Sequence, residues 1–503
     1  MKVAPSVRGN IIANFAGRAY ASVLSLAFIP LYIKLMGVEV YGLLGIFISL
    51  SALLSLLDMG LSSTLSRELS RLSATEGSEQ ETHNLVRTFE AVYWVIGILI
   101  GISVVSVARI IAKYWINAGS VSVDIVQQAL IIMGVLVAFQ WPSSIYSGGL
   151  MGLQRQVVLN VIRSVAVTLQ HGGAVLALLL VSPSILTFFF WQAIVGLLTS
   201  VALAVWLWKS LPKTNQKAKF DKGLLIKNWR FAAGMTGISL VTIWLTQLDK
   251  IILSKMLTLE IFGYYMLAFN VANALNNIVS PISSALFPKF TQLSTAGEEN
   301  KLAMLYHKGC QLLSVLVLPV AITIAFFAKD ILALWLSNPI VVENTHQILT
   351  LLIIGTALNA VMTTPFMLQL AHGWTQLAFY KNIIAVTLLV PLMIWMVEMY
   401  QGIGAAWVWI ILNLGYLIFE VPIMHRRLLK EEMGNWYRQD IIKPIIIVSI
   451  IGGIAKVIVP ADPSKVVTLL AVLSTLAFSL IGAARAAGYL NTRVLKTKFF
   501  KFH

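Results

Sequence analysis

Apolar stretches of about 20 residues or more alternate with short polar connectors along nearly the whole chain. Each stretch is long enough to cross a bilayer core of ~30 Å as a helix. Fourteen spans are predicted, at 10–35, 40–66, 85–111, 125–149, 156–181, 185–208, 230–255, 261–287, 309–336, 346–371, 377–399, 402–424, 441–459 and 466–487. The pattern predicts an all-α polytopic membrane protein.

The composition supports this interpretation and excludes a water-soluble class. Of the 503 residues, 58% are hydrophobic and 12% are charged, and the mean hydropathy is +0.83. Soluble proteins carry roughly 25% charged residues, so this chain lacks the residues needed to cover aqueous domains. Its single cysteine, Cys310, excludes an internal disulfide framework and a multi-cysteine metal site.

The basic residues are unevenly distributed between the two sides of the predicted membrane. The chain has 37 Lys and Arg against 21 Asp and Glu, a net charge of +16. Roughly three quarters of the basic residues fall at the termini and in the even-numbered loops, and cytoplasmic loops are the ones that collect basic residues. Both termini are therefore expected in the cytoplasm. The basic runs are expected to contact membrane lipids and not nucleic acid, since no stacking aromatics interrupt them.

A repeat relates the two halves of the chain. A shift of 221 residues aligns 34–73 with 255–294 without a gap, placing Glu39 on Glu260 and Gly42 on Gly263. Because this shift spans six predicted helices, the halves have the same orientation and are expected to enclose a central cavity. The expected organisation is an N-lobe at 1–208, a cytoplasmic basic linker at 209–229, a C-lobe at 230–428, and a C-terminal part at 429–503 with two extra helices.

Four charged side chains are predicted at similar depths near the cytoplasmic side of the membrane. Arg18 and Asp58 lie about eight residues from the cytoplasmic ends of their helices, ~12 Å deep, and Glu90 and Arg163 lie at a similar depth. Intramembrane charges usually pair or face a water-filled cavity. Either Arg18–Asp58 and Glu90–Arg163 are static pairs, or the four form a titratable cluster whose arginines receive an anion.

Further polar groups lie within other predicted spans. Asn14 shares one helix face with Arg18, and the eighth span carries Asn270, Asn273 and Asn277 on one side. Such faces are expected to line the cavity. Asp249 and Lys250 lie nearer the outer face, where they could act in the mechanism or simply pair with each other.

Motifs of nucleotide hydrolysis and of catalysis are absent from the sequence. It contains no Walker A motif, no Asp-x-Asp pair, no clustered Ser/His/Asp set and no metal-spaced histidines. We therefore expect neither an enzyme nor a protein with a bound cofactor or metal.

Two tracts resemble a known family. The segment 35–71, which contains LLDMGL, and the segment 247–290, which begins QLDK, are similar to the openings of the two halves of bacterial polysaccharide-biosynthesis flippases, including O-antigen repeat-unit flippases. These belong to the multidrug/oligosaccharidyl-lipid/polysaccharide exporter superfamily. Asp58 and the pair Asp249–Lys250 match positions typical of the family, whereas Arg18 is a candidate only because of its depth and its polar face.

The resemblance implies alternating-access transport of an undecaprenyl-pyrophosphate-linked oligosaccharide across the bacterial cytoplasmic membrane. In this interpretation Arg18 and Arg163 hold the pyrophosphate and the four asparagines hydrogen-bond the sugars. Proton or sodium coupling would use the remaining charged residues, Asp58, Glu90, Asp249 and Lys250. The expected partners are the polyprenyl-linked glycan, membrane lipids and the polysaccharide polymerase and chain-length machinery.

Three alternatives remain at this point. A drug or cation antiporter of the same superfamily would favour an acidic, aromatic cavity. Peptidoglycan-precursor flippases of the superfamily also have fourteen spans, with the extra pair shaping a groove for the lipid tail. A membrane enzyme such as a glycan polymerase would need outer-face catalytic groups, usually on a large outer loop, and no predicted outer loop is large.

Overall fold

Helices form along the apolar runs because, within a bilayer, the backbone has no hydrogen-bond partner except itself. A computed structural model describes residues 7–73, 75, 77–227, 247–460 and 463–488. Within these ranges the chain is predominantly helical, and its extended pairing is a single bridge between Asn117 and Thr258. The predicted all-α class is confirmed.

The chain divides by its internal contacts into two units, Met1–Gly263 and Tyr264–His503. Helices of the first unit are α1 (Val7–Met36), α2 (Val38–Leu72), α3 (Glu79–Ile110), α4 (Val123–Gln140), α5 (Pro142–Gly152), α6 (Gln156–Thr168), α7 (Ala174–Leu180) and α8 (Ile185–Ser210). A π-helical turn at Ile111–Trp115 extends α3, and another at Leu169–Gly173 joins α6 to α7. Residues 222–227 and 247–256 are also helical. The division predicted from the sequence, with a linker at 209–229, stays a prediction.

The second unit begins within α9 (Leu259–Asn273). Its other helices are α10 (Asn276–Thr295), α11 (Glu299–Phe326), α12 (Ala328–Trp335), α13 (Pro339–Ala371), α14 (Thr375–Gly415), α15 (Val421–Leu428), α16 (Met433–Asn435), α17 (Lys443–Ile458) and α18 (Lys465–Ala486). The C-terminal pair, α17 and α18, packs against α11. Gly452 of α17 makes this close approach possible, since a Cβ there would lie 2.7 Å from the Phe326 ring.

Among the described residues, α4, α8, α13 and α18 each begin with a side-chain cap after a loop on the side predicted to be outer. Ser122, Ser184 and Ser464 each accept a hydrogen bond from the backbone N–H three residues on, and Asn338 accepts one from the N–H of Ile340. Such caps satisfy backbone donors that the first helical turn leaves free. Short polar connectors therefore suffice to start helices at the membrane boundary.

Ten helical segments within the described residues are long and apolar enough to cross a membrane, so the exact count of fourteen is not confirmed. The segment Thr375–Leu428 has 54 residues and is far longer than one crossing requires. Its helix breaks at Gln401, where φ is 51°, between the predicted eleventh and twelfth spans. The predicted ninth span, 309–336, comprises the later part of α11, which ends at Phe326, together with α12 (Ala328–Trp335). Most of the predicted seventh span, 230–255, lies outside the described residues.

Two glycines related by the 221-residue shift lie against each other's helix. A Cβ on Gly42 would lie 2.2 Å from the carbonyl oxygen of Leu259, and one on Gly263 would lie 2.5 Å from that of Val38. Val38 and Leu259 are themselves separated by 221 residues. The first turns of α2 and α9 therefore cross through equivalent residues of the repeat, at a distance that only glycine allows.

Substitution of either glycine is expected to destabilise the protein. Gly42→Ala and Gly263→Ala each force a methyl group onto a backbone oxygen, which should lower the free energy of unfolding by ~1–3 kcal/mol. Gly415→Ala is the matched control, because a Cβ there meets no atom within 4 Å. Thermal denaturation of the purified full-length protein in detergent measures all three. Equal melting temperatures for the two crossing variants and the control would contradict the assignment.

Candidate functional site

The two carboxylates predicted in the first unit are buried and have partners other than the predicted arginines. Asp58 on α2 is 4% exposed and accepts a hydrogen bond from the hydroxyl of Tyr93 on α3. Tyr93 is itself buried, and its ring lies 6.1 Å from that of Trp141. Asp58 therefore lies beside the apolar core of the first unit, where a carboxylate needs hydrogen-bond donors.

Glu90 is held by three side chains from three helices. Its Oε1 accepts hydrogen bonds from the Tyr146 hydroxyl at 2.7 Å and from Trp208 Nε1 at 3.3 Å. Its Oε2 accepts one from Arg87 at 2.9 Å. The static pairs Arg18–Asp58 and Glu90–Arg163 expected from depth are therefore replaced by hydroxyl, indole and neighbouring-arginine contacts. The depth of a residue in the membrane could not identify these partners, because depth does not indicate which helix faces are in contact.

Polar contacts join α1 to α6 on the face that carries Arg18 and Arg163. Asn14 Nδ2 donates to Gln156 Oε1 at 3.2 Å, and Asn14 Oδ1 accepts from Asn160 Nδ2 at 2.6 Å. Asn14 therefore fixes α1 against α6 in this conformation. Arg18 follows Asn14 by four residues and Arg163 follows Asn160 by three, so each guanidinium lies about one turn beyond the amide contact.

The two arginines form an accessible pair of like charges, called here the arginine pair. Both side chains are exposed, and their positive charges are near enough to interact electrostatically. Two neighbouring guanidiniums can together bind an anion with several oxygens, since each can donate to two of them.

Asp249 and Lys250 form an ion pair with each other, as one of the two interpretations anticipated. Lys250 Nζ lies 2.9 Å from Asp249 Oδ2. The Lys250 side chain is 5% exposed and that of Asp249 is 24% exposed. The lysine is therefore the more deeply buried member of the pair.

The asparagines of the predicted eighth span lie at a break in the helix. The span was predicted as one helix over 261–287, but α9 ends at Asn273 and α10 begins at Asn276. Asn276 Nδ2 donates to Asn273 Oδ1 at 2.7 Å across the break. The prediction of one polar face for Asn270, Asn273 and Asn277 assumed an unbroken helix. Asn273 and Asn277 are exposed on either side of the break, and Asn270 is half-buried.

Contacts also gather the loops that the charge bias places on the outer side of the first unit. Trp115 Nε1 donates to Ser254 Oγ at 3.1 Å, Lys255 Nζ donates to the Tyr114 carbonyl, and the Leu259 N–H donates to the Asn117 carbonyl at 3.0 Å. Residues 114–117 and 254–259 are called here the outer loop cluster. They join the end of α3 to the segment that leads into α9.

Glu39 adds a further contact to the same side. Its carboxylate accepts hydrogen bonds from the backbone N–H groups of Gly119, Ser120 and Val121. Although partial burial acts in the opposite direction, these bonds and one from the Ser120 hydroxyl lower the pKa of Glu39. The repeat had identified Glu39 as a conspicuous residue but had not indicated its partner.

A second cluster of titratable groups lies in the second unit, and the sequence analysis missed it. His307 Nδ1 lies 2.5 Å from Asp440 Oδ2 and His307 Nε2 lies 3.1 Å from Glu432 Oε2. Asp440 is fully buried and also accepts from Gln311 Nε2 at 2.9 Å. Because a carboxylate accepts at each ring nitrogen, the geometry fits an imidazolium. The cluster joins α11 to the segment leading into α17, and His307 is 125 residues from Glu432 and 133 residues from Asp440.

Among the described residues, no group of three or more His, Cys, Asp or Glu side chains could hold a metal ion. The polar chemistry of these residues consists of the arginine pair, buried carboxylates with hydrogen-bond donors, and ion pairs.

Comparison with known proteins identifies the family of this chain. A profile described as "Polysaccharide biosynthesis protein" matches residues 7–294. A protein assigned as an O-antigen transporter in Shigella flexneri is 20% identical over 410 residues, which cover 80% of this chain and 94% of that protein. The lipopolysaccharide biosynthesis protein WzxC of Escherichia coli strain K12 is 23% identical over 227 residues, 44% of each chain. These relatives are named for transport or for polysaccharide biosynthesis.

Solved structures with the same fold are transporters. The lipid II flippase MurJ, in an inward closed conformation, superimposes with a TM-score of 0.76 at 14% identity, covering 96% of this chain and all of that one. A multidrug-resistance MATE transporter in an inward-facing conformation gives a TM-score of 0.61 at 14% identity, covering 81% and 96%. At these identities the likeness shows the fold alone.

Removal of the Tyr93 hydroxyl is expected to destabilise the first unit. Tyr93→Phe takes from Asp58 its tyrosine donor in a buried setting, which should lower the free energy of unfolding by ~1–3 kcal/mol. Tyr20→Phe is the control, since the Tyr20 hydroxyl bonds Thr168 at an exposed site. Thermal denaturation in detergent checks both variants. A Tyr93→Phe protein as stable as the control would mean that Asp58 does not depend on this bond.

Proposed function

The chain belongs to the polysaccharide biosynthesis protein family, and we propose that it is a flippase for a lipid-linked glycan. The proposed substrate is an undecaprenyl-pyrophosphate-linked oligosaccharide, an O-antigen or exopolysaccharide repeat unit. It would pass from the cytoplasmic to the outer leaflet of the bacterial cytoplasmic membrane by alternating access. The functions of the relatives and the apolar helices of this chain support a multi-pass membrane transporter.

The observation that carries this proposal is the arginine pair. A pyrophosphate diester presents several anionic oxygens within a few ångströms, and two neighbouring guanidiniums can bind them through several hydrogen bonds. Arg18 and Arg163 are exposed and near each other, and the amide contact of Asn14 with Asn160 holds their helices together. The role of Asn14 in the proposal is accordingly to position the pair, whereas Asn270, Asn273 and Asn277 remain candidates for contact with sugar hydroxyls.

The outer loop cluster supports alternating access. Release of a glycan at the outer face would require the contacts of residues 114–117 with 254–259 to separate. Each contact is a single hydrogen bond, with a modest net free energy of ~0.5–1.5 kcal/mol, so the cluster can open without unfolding a helix. In the proposed cycle the present conformation is the one in which these contacts are formed.

Ion coupling is proposed to use a buried carboxylate of the transporter. Of the candidates Asp58, Glu90, Asp249 and Lys250, Asp58 is the best placed to accept a proton. Its donor is a tyrosine hydroxyl, so protonation leaves no buried positive charge without a partner. Glu90 and Asp249 each pair with a cation, which protonation would leave uncompensated.

A peptidoglycan-precursor flippase is the second candidate, because α17 and α18 pack on α11 as an additional helix pair. A drug or cation antiporter is less compatible with the arginine pair, which would repel a cation. Partnership with a polysaccharide polymerase and chain-length machinery is a further proposal that follows from the class of substrate. Transport assays with a lipid-linked oligosaccharide and with a lipid-linked disaccharide-pentapeptide would distinguish the first two candidates.

Loss of either arginine is expected to abolish most transport. In proteoliposomes, Arg18→Ala and Arg163→Ala should each reduce the initial rate of transfer of a labelled polyprenyl-pyrophosphate oligosaccharide at least ~10-fold, as loss of ~1.5–3 kcal/mol of charged hydrogen bonding requires. Arg109→Ala is the control, since Arg109 is exposed at the end of α3 on the predicted outer side. Unchanged rates for Arg18→Ala and Arg163→Ala would remove the pair from the mechanism.

Covalent closure of the outer loop cluster is expected to stop transport reversibly. Trp115→Cys with Ser254→Cys, joined by a short thiol-reactive crosslinker that contains a disulfide bond, should block transfer until that disulfide is reduced. The native cysteine does not need to be replaced for this experiment, because Cys310 is buried. The control is the pair Asp330→Cys with Lys456→Cys. In the native protein Lys456 Nζ lies 2.5 Å from Asp330 Oδ2, and both residues lie in the second unit on the same predicted side. Full transport by the crosslinked Trp115/Ser254 protein would contradict opening at this cluster.

A further inference from the structure

The second unit contains a buried ion pair that has no part in the proposed transport site. Lys381 Nζ on α14 lies 2.6 Å from Oε2 of Glu420, at the end of the π-helical turn Tyr416–Glu420. The side chains are 17% and 2% exposed, respectively. Glu420 lies near the end of the predicted twelfth span, 402–424, where a carboxylate side chain could extend to the membrane surface. Instead, Glu420 points into protein and is neutralised there.

Aromatic rings and an amide complete the surroundings of this pair. Lys381 Nζ lies 4.4 Å from the ring centroid of Tyr416 and 5.1 Å from that of Phe366, distances typical of cation–π contacts. Gln369 Nε2 donates to Glu420 Oε1 at 2.8 Å. The remaining Gln369 oxygen is buried and has no hydrogen-bond partner among the residues that the structure describes. An unused oxygen acceptor therefore lies beside the buried carboxylate.

We infer that Glu420, Gln369 and the faces of Tyr416 and Phe366 form a binding site for a monovalent cation, occupied in this structure by the ammonium of Lys381. Carboxylate and amide oxygens are the ligands that hard cations such as Na⁺ prefer, and ring faces attract a cation further. A carboxylate buried in a membrane protein requires a compensating charge. Lys381 supplies that charge from within the chain.

The tether makes the lysine a strong competitor for the site. An ammonium attached to α14 acts at an effective concentration near the millimolar range or above, which a dissolved ion must exceed. The lysine stem is flexible, and Lys381 lies in the second turn of α14, so its ammonium can also withdraw toward the membrane boundary. The native protein should therefore be indifferent to Na⁺ at this site, and removal of the ammonium should expose a latent Na⁺ site.

Thermal melting of the purified full-length protein in detergent tests this inference without any transport substrate. Melting temperatures are measured in NaCl and in choline chloride at equal ionic strength. The wild-type protein and Lys381→Arg, which keeps a tethered cation, should melt at the same temperature in both salts. Lys381→Met should melt lower in choline and recover with Na⁺ in a saturable manner. The double variant Lys381→Met/Glu420→Gln should show no such recovery.

Several results would overturn the inference. One is a Lys381→Met protein that melts identically in the two salts, and another is a double variant that still responds to Na⁺. Recovery of Lys381→Met in choline at lower pH, with no added effect of Na⁺, would mean that Glu420 takes up a proton instead. Lys381→Gln provides a second uncharged variant if the methionine variant does not accumulate, and the same Na⁺ response is expected of it.

Discussion

The cost of placing a charge within hydrocarbon is the constraint on which the rest of this structure depends. A charged group inside the membrane must either have partners or face water, and the described residues follow both courses. Asp58 and Glu90 are buried beneath tyrosine hydroxyls, and Lys381 is buried against Glu420. Arg18 and Arg163 instead remain exposed beside each other. Of these described charged groups, Arg18 and Arg163 are the exposed ones, and that exposure makes the arginine pair the candidate site for an anionic substrate.

Much of the fold could be predicted because it depends on local pattern. Apolar length predicted the helices, and the short polar interval between the eleventh and twelfth spans coincides with the break at Gln401. The 221-residue shift paired Gly42 with Gly263 before any contact was known, and these two glycines lie at the crossing of α2 and α9. Each of these features leaves a signal in a short stretch of sequence or in its repetition.

The partners of the charged groups could not be predicted, since they depend on which helix faces meet. Depth paired Asp58 with Arg18, but the donor that reaches Asp58 is the uncharged hydroxyl of Tyr93, which a pairing of charges by depth does not consider. The break between Asn273 and Asn276 has no Pro or Gly to mark it. His307 and Asp440, like Lys381 and Glu420, come together only when distant helices pack. An apolar sequence predicts that a helix is buried, but it does not indicate which neighbouring helix that helix packs against.

Binding of the substrate's anionic group to the arginine pair is the central claim, and equilibrium binding tests it most directly. Native mass spectrometry of the full-length protein would compare a polyprenyl pyrophosphate with the uncharged polyprenol of equal length, for the wild type and for Arg18→Ala/Arg163→Ala. The account predicts that the wild type binds the pyrophosphate at least ~10-fold more tightly than the polyprenol, and that the double variant loses this preference. An equal preference in both proteins would contradict it.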